Sequence, residues 1–592
     1  MKEIKKSDLF FLVFKITPIT SLIKIFFALV NALLPTYSVI IITKCVNDAT
    51  KIMSSEDPKL IFLDLALLLV IFLIEYVIQV INGLVEKKHS LNLDYKLREE
   101  IIKYKSKILF EYFENKENYM LIEKVSNEFL SNTNNIFNNL ISTLGFIIQF
   151  VSLCVLFVSN SIWQVGLILA ISTIIISFIS YKNSIYQYNA YKKFFSGNVE
   201  LFHSTYILKD RSTADERTLF QYSHGINKKW KRNQENINKQ ELDAHKKILT
   251  FRNVTNIINL IICFIIIAIS LILLINNRMT NGFFVAMVVN ILPLVQGTSK
   301  YFIGLVSNFA SQNEYMKDLN LVMAYKTDES INLEPTEEDV EFNSLEFKHV
   351  SFKYPSSDRY VLKNVSFKIE KDKSYAFVGH NGSGKTTIIK LITKLYTNYD
   401  GEIFINDVNI KDISSDKIKK IFGSIFQDFS KYNLTLKENI IIGDIKNILN
   451  KKLDLNNYKF LEIDKIIKKL PKGENTNLGK IEVDGQDLSG GEWQKLAIAR
   501  MLNGNHNVYI LDEPTASLDP IVESEIYTMF SHILKEKTVI LISHRLGSVK
   551  SSDVIFVLAD GQIIESGTHN ELLHKKGTYY KMFESQKEWY KR

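Results

Sequence analysis

The chain has 592 residues, 46% hydrophobic and 23% charged, with a formal net charge of +8. This length implies two or more domains, each with ample apolar residues for a core. The lysines cluster in polar segments between apolar runs, so the charge reads as a cytoplasmic face and not as a nucleic-acid footprint. Three scattered cysteines, Cys45, Cys154 and Cys263, exclude a disulfide framework or a cysteine-based metal site.

In chain order, Met1-Lys-Glu-Ile-Lys-Lys leads into an apolar stretch without a small-residue cleavage site, as expected of a retained span. Apolar runs near 19–43, 60–84, 136–158, 162–182, 255–276 and 283–306 approach the ~20 residues that a helix needs to cross a bilayer. Asn132, Asn134, Asn135, Asn138 and Asn139 dilute the start of the third, and Ser159-Asn160-Ser161 forces a tight hairpin after it.

The connections are unequal. Nine Lys or Arg residues lie between 85 and 135, none at 159–161, and Arg278 alone after the fifth run. The positive-inside bias therefore places both long loops (85–135 and 183–254), the N-terminus and the C-terminal half in the cytoplasm of a multi-pass plasma-membrane protein. Both loops keep helical periodicity with few Gly or Pro, so spans two to five are expected to continue as helices beyond the membrane. Within the spans, Glu75 is the one acid well inside, with Gln79 one turn on. It reads either as a substrate contact or as a hydrated, lysine-paired residue at the cytoplasmic end. Asn31, Pro35, Gln149, Asn290, Pro293 and Gln296 are further cavity candidates.

An acidic, polar linker at 326–344 separates a membrane domain (1–325) from an alternating, soluble-like segment (345–592). Gly379-His380-Asn381-Gly382-Ser383-Gly384-Lys385-Thr386, followed by Thr387, fits G-x-x-x-x-G-K-[ST] between a strand at 374–378 and a helix. Its glycines let backbone N–H groups converge on phosphate oxygens. Lys385 is expected to reach the β- and γ-phosphates of ATP, and Thr386 to ligate Mg²⁺. Gln427 follows in Ile425-Phe426-Gln427-Asp428. Leu488-Ser489-Gly490-Gly491-Glu492 then opens a helix whose N-terminus is a second anion-binding end. Val508-Tyr-Ile-Leu511 is an apolar strand running into Asp512 and Glu513, with Asp519 beyond, and Ser543-His544-Arg545 closes the series.

These five motifs in this order resemble the ATP-binding cassette (ABC) family. The resemblance implies an all-α six-helix membrane domain of exporter type followed by an α/β phosphate-loop ATPase domain. Asp512 and Gln427 would join Thr386 at Mg²⁺, Glu513 would polarise the attacking water, and His544 would contact the γ-phosphate. Tyr354, 25 residues before Gly379, would stack on adenine, with Tyr360 or Phe352 as alternatives. Ser489, Gly490, Gly491 and Asp519 would contact nucleotide, the signature facing the ATP held by an opposite cassette. One cassette and six spans then imply a homodimer or a paralogous half-transporter partner. Glu492 replaces the usual Gln, with little change expected. Turns at Asn115–Tyr119 and Ala214–Phe220 would dock on a cassette.

The stretches around Gln427, Leu488–Arg500 and Glu114–Val125 further resemble the lantibiotic exporters of Gram-positive bacteria, whose AT-rich genomes the Lys, Asn and Ile content fits. The resemblance implies ATP-driven export of a bacteriocin-like peptide or its modified, leader-bearing precursor; with about 18 residues before the first span, no N-terminal cysteine-peptidase domain is expected and leader removal would fall to another protein. The rival readings are a multidrug or lipid exporter, and a membrane-anchored regulatory ATPase that moves nothing.

Overall fold

The computed structural model describes residues 3–52, 59–160, 162–210, 213–328, 341–355, 357–444, 453–480, 484–513 and 537–589. They form two compact units, Met1–Ser106 with Met120–Ala324, and Lys107–Tyr119 with Tyr325–Arg592.

The first unit is helical. A short α1 (Lys6–Ile16) precedes α2 (Pro18–Ile52), α3 (Lys59–Lys107), α5 (Lys116–Ser159), α6 (Trp163–Lys209), α7 (Ala214–Phe220), α8 (Ser223–Ile275) and α9 (Asn281–Met323), while α4 (Phe110–Glu114), between α3 and α5 in the chain, belongs to the second unit. The helices α3, α5, α6 and α8 are 49, 44, 47 and 53 residues long, so the expected extensions past a bilayer's thickness are present. Among the described residues, five helices are long and apolar enough to cross a membrane. The sixth expected run lies in α9, whose described apolar segment is Asn281–Asn290.

Local chemistry sets the helix ends. The Asn115 side chain accepts from the N–H groups of Glu117 and Asn118 and so caps α5 (3.0 and 3.1 Å). Thr280 does the same for α9 through Phe283 N. A Cβ on Gly282 would stand 2.2 Å from the Thr43 carbonyl, so only glycine lets α9 start this close to α2. The α5–α6 hairpin is closed by buried Phe157, Ile162 and Val165, packed with residues of α8 and α9. Along α3, Phe62, Phe72 and Leu84 are exposed, an apolar surface suited to lipid. Cys45 and Cys154 are half-buried and Cys263 is buried, all three as free thiols.

The second unit holds two sheets. The antiparallel one has the order β2-β1-β4-β5, from β1 (Ser344–Phe352), β2 (Leu362–Glu370), β4 (Asp400–Ile405) and β5 (Val408–Asn409). The other has the order β10-β9-β3-β8-β7-β6, from β3 (Ser374–Gly379), β6 (Phe422–Ile425), β7 (Val508–Asp512), β8 (Thr538–Ile542), β9 (Val554–Ala559) and β10 (Gln562–Gly567). All its pairings are parallel except β9–β10. Strand β7 is buried at every position, as its unbroken apolar run dictates. The helices used below are α10 (Lys385–Ile392), α11 (Gly490–Asn503) and α12 (Thr578–Trp589).

Candidate functional site

The sheet order explains how distant motifs meet. β3, β8, β7 and β6 are consecutive neighbours, and their carboxyl ends deliver the glycine loop, His544, Asp512–Glu513 and Gln427 respectively. In open parallel sheets this edge is where ligands bind.

The loop leaves β3 and enters α10 at Gly384, with φ of +106° there and +79° at Gly382, left-handed conformations that favour glycine. A Cβ on Gly384 would lie 2.6 Å from the Leu362 side chain, whereas one on Gly382 would meet nothing within 4 Å. The loop is therefore tight on its inner side and open on its outer side. Lys385 is buried, and its Nζ donates to the carbonyls of Gly379 (2.9 Å) and His380 (3.1 Å). Burial pulls its ammonium below the usual lysine range, opposed by Glu513 and Asp512. Among the described residues the buried Ser383 hydroxyl has no hydrogen-bond partner. An open cradle, a hydroxyl unpartnered among the described residues and a lysine hydrogen-bonded to its own loop fit a phosphate chain.

Thr386 Oγ1 donates to Asp512 Oδ2 (3.0 Å). Burial raises the Asp512 carboxyl to about 6. The Thr386 bond and Lys385 oppose that rise, while Glu513 and Asp428 add to it. Two oxygen ligands side by side, one a carboxylate burdened by desolvation, suit a hard cation such as Mg²⁺. Glu513 Oε1 lies 3.0 Å from His544 Nδ1. Glu513 has a φ of +49°, uncommon for a non-glycine residue, and its N–H is tied to the Ile542 carbonyl (3.0 Å). The strained position is thus held by the neighbouring strand. Gln427 is exposed just past β6.

The Tyr354 hydroxyl is 3.0 Å from Thr387 Oγ1, and its half-buried ring lies against Phe352 and Tyr396. Phe352 is buried in the core and unavailable for stacking, while Tyr360 is exposed with its hydroxyl on Asp400. Ser489 caps α11 through a reciprocal box with Glu492. Burial works against the Glu492 charge, but bonds from Ser489 and Lys469 prevail and hold the carboxyl below its usual range. Among the described residues no hydrogen bond joins Ser489, Gly490 or Gly491 to the glycine loop of the same chain. Asp519 lies outside the described residues.

In the helical unit, a cavity of about 360 Å³ opens between α2, α3 and α5. Two of the cavity candidates, Asn31 and Gln149, line it, together with Lys24, Asn82, Glu86 and Asn138. Glu75 and Gln79 do not line it and are exposed on α3. Pro35 sits inside α2, Asn290 bonds the Ala286 carbonyl, and the side chains of Pro293 and Gln296 lie outside the described ones.

A family profile described as ABC transporter matches residues 362–516. The subtilin transport ATP-binding protein SpaT of Bacillus subtilis is 32% identical over 99% of this chain and 94% of its own length. The chain belongs to the ABC transporter family. The nisin transport ATP-binding protein NisT of Lactococcus lactis is 27% identical over 88% of the transporter and 87% of its own length. Proteins named for lipid A-core or multidrug transport match over 41% and 42% of the transporter. The solved structure of a bacterial Atm1-family ABC exporter with ATP bound superposes with a TM-score of 0.79 at 21% identity, covering 96% of this chain and 98% of that one. The transporter is thus an integral membrane ABC exporter whose α/β domain hydrolyses ATP to drive transport.

Three features of the transporter escaped sequence reasoning. Gln586 of α12 accepts from Leu546 N (2.8 Å) and donates to the His544 carbonyl, clasping the backbone on both sides of Arg545. A lone glutamine 42 residues past the histidine carries no local pattern. Arg500, at the end of the signature helix, donates to the Asn439 carbonyl and side chain (2.9 and 2.8 Å) and to the Ser430 carbonyl (3.1 Å). It thereby ties α11 to the segment following Gln427. The first turn also differs from expectation, because α4 and not Asn115–Tyr119 alone makes the packing within the second unit. Lys390 Nζ meets Glu114 Oε1 (2.7 Å), Phe110 packs on Tyr396, and Tyr112 stacks on Tyr325 (4.2 Å). Asn118 accepts from the Tyr325 hydroxyl (2.9 Å). The second turn forms α7, ending in exposed Leu219 and Phe220.

Proposed function

We propose that this transporter exports a lantibiotic-like peptide across the plasma membrane of a Gram-positive bacterium, working as a homodimer with ATP held between two cassettes. One observation carries the substrate class. Relatives named for subtilin and nisin transport align along nearly the whole chain, membrane half included, whereas those named for lipid or drug transport align over about two fifths. Substrate choice resides in the membrane half, so similarity there bears on cargo.

At each site Lys385 exchanges its loop carbonyls for phosphate oxygens, and backbone N–H groups of Gly382 to Thr387 cradle the chain of phosphates. Thr386 and Asp512 hold Mg²⁺, with Gln427 reporting its presence to the segment behind it. The cation supplies positive charge to the β- and γ-phosphate oxygens. Glu513 accepts a proton from the attacking water, and His544 orients on the γ-phosphate while steadying the Glu513 carboxylate. Tyr354 stacks on adenine. The N-terminus of α11 at Ser489, Gly490 and Gly491, which among the described residues makes no bond to its own glycine loop, closes over ATP in the partner, helped by Asp519. Domain boundaries near 325 and 345 follow from this division of labour.

The test is ATP-dependent uptake into inside-out vesicles carrying the full chain, comparing lanthipeptides with labelled lipids and hydrophobic dyes. Saturable peptide uptake supports the reading. Uptake of lipid or dye without any peptide uptake assigns the transporter to the rival class, and nucleotide hydrolysis without flux of any of them makes it a regulatory ATPase.

A further inference from the structure

We infer that the cavity between α2, α3 and α5 is a peptide-backbone subsite, recognising an uncharged polar stretch of polypeptide through its carboxamide side chains. The inference rests on the peptide-export reading and adds the residues that would discriminate peptide from lipid.

Three helices each contribute one polar face. Lys24 and Asn31 are two turns apart on α2, Asn82 and Glu86 one turn apart on α3, and Asn138 and Gln149 three turns apart on α5. Lys24 is nine-tenths buried, yet its ammonium is doubly satisfied. It donates to Asn138 Oδ1 (2.7 Å) and lies 3.7 Å from the Glu86 carboxylate. The cavity's two charges therefore neutralise each other and favour neither an anionic nor a cationic ligand. By contrast, no hydrogen bond among the described residues engages the carboxamides of Asn31, Asn82 or Gln149. Polar groups in the membrane-spanning part of a helix are costly and persist where they face a pathway or ligand.

A carboxamide offers the same donor and acceptor pair as a peptide group. Three of them with no hydrogen-bond partner among the described residues can replace the water bonds of a desolvated backbone without reading its side chains. An acyl chain or apolar dye in the same place would leave them unpaired at a cost. At about 360 Å³ the cavity stands at the small end of ligand pockets, which span roughly 300–1,000 Å³. It admits a short extended stretch and not a folded domain.

The experiment uses full-length transporter in proteoliposomes with two probes, a fluorescent neutral 20-residue peptide of Gly, Ser, Asn and Leu, and a hydrophobic dye. Asn82→Leu and Gln149→Leu should each raise the half-saturating peptide concentration about tenfold, the scale of one unmade buried hydrogen bond. The exchanges Asn82→Gln and Gln149→Asn should stay within about threefold of wild type, since they keep the amide. Wild-type protein that moves no peptide overturns the peptide reading itself. Wild-type protein that moves peptide, with both Leu variants unchanged in half-saturation, overturns the subsite alone. Should the Leu variants fail to assemble, Ser142→Cys in the cavity wall supplies a second readout. The probe peptide should slow its modification by a charged thiol reagent, and unaltered labelling also overturns the subsite.

Discussion

Asp512→Asn tests the electrostatics of the nucleotide site. Asp512 is 3% exposed, bonded by Thr386, and raised from 3.8 to about 6, first by burial. A carboxyl raised in the folded state contributes stability below its unfolded pKa and loses it as pH rises through the folded value. At pH 7.5 the ionised group is therefore a net cost, at most about 3 kcal/mol at 1.36 kcal/mol per pKa unit. Asparagine keeps the bond from Thr386 and removes the charge. In a thermal melt without nucleotide at pH 7.5, the full-length variant should unfold higher than wild type, by roughly 6 °C for a cassette of this size. The gap should close as pH falls from 6 toward 4, where the wild-type carboxyl is protonated. Adding Mg-ATP should reverse the order, because only the carboxylate gains a cation. A variant that melts below wild type without nucleotide, or a gap that widens with acidity, would refute the reasoning.

Further outcomes follow from the contacts that sequence did not reveal. Gln586→Ala should lower the ATPase kcat about tenfold by loosening the His544 backbone, with KM for ATP nearly unchanged; a raised KM would assign Gln586 to binding. Arg500→Lys keeps the charge but loses the planar fork to Asn439 and Ser430, and should cost about 2 kcal/mol in denaturant unfolding. Phe110→Ala with Glu114→Ala removes about 2 kcal/mol of packing between α4 and the cassette residues Tyr396 and Lys390. Hydrolysis should persist while its stimulation by peptide is lost; retained stimulation would show that the turn carries no signal.

The nucleotide site was legible because its chemistry is local in sequence. Each motif is a strand end plus a few residues, and short continuous apolar runs at 374–378, 508–511 and 538–542 announce the strands. What sequence could not supply was their lateral order, which places His544 between the glycine loop and Asp512. The long helices were legible from unbroken periodicity. The cavity was half legible. Asn31 and Gln149 stood out as polar residues within apolar runs, but Asn82 and Glu86 sit where a span gives way to polar sequence and look like ordinary ends. Lys24 stands near the start of the first apolar run without a motif to mark it, and its burial against Asn138 of α5 is a matter of packing. Glu75 was conspicuous for its charge, yet it lies three turns along α3 from Glu86 and does not line the cavity. Gln586 and Arg500 act through backbone carbonyls and amides, which leave no signature in the residues they grip.

Purified Glu513→Gln transporter in Mg-ATP examines the claim that two subunits share the nucleotide and that this carboxylate drives its hydrolysis. A particle of two chains retaining one unhydrolysed ATP per chain, with turnover lowered by at least about a hundredfold, is the predicted result. A single-chain particle, or hydrolysis at the wild-type rate, would contradict it.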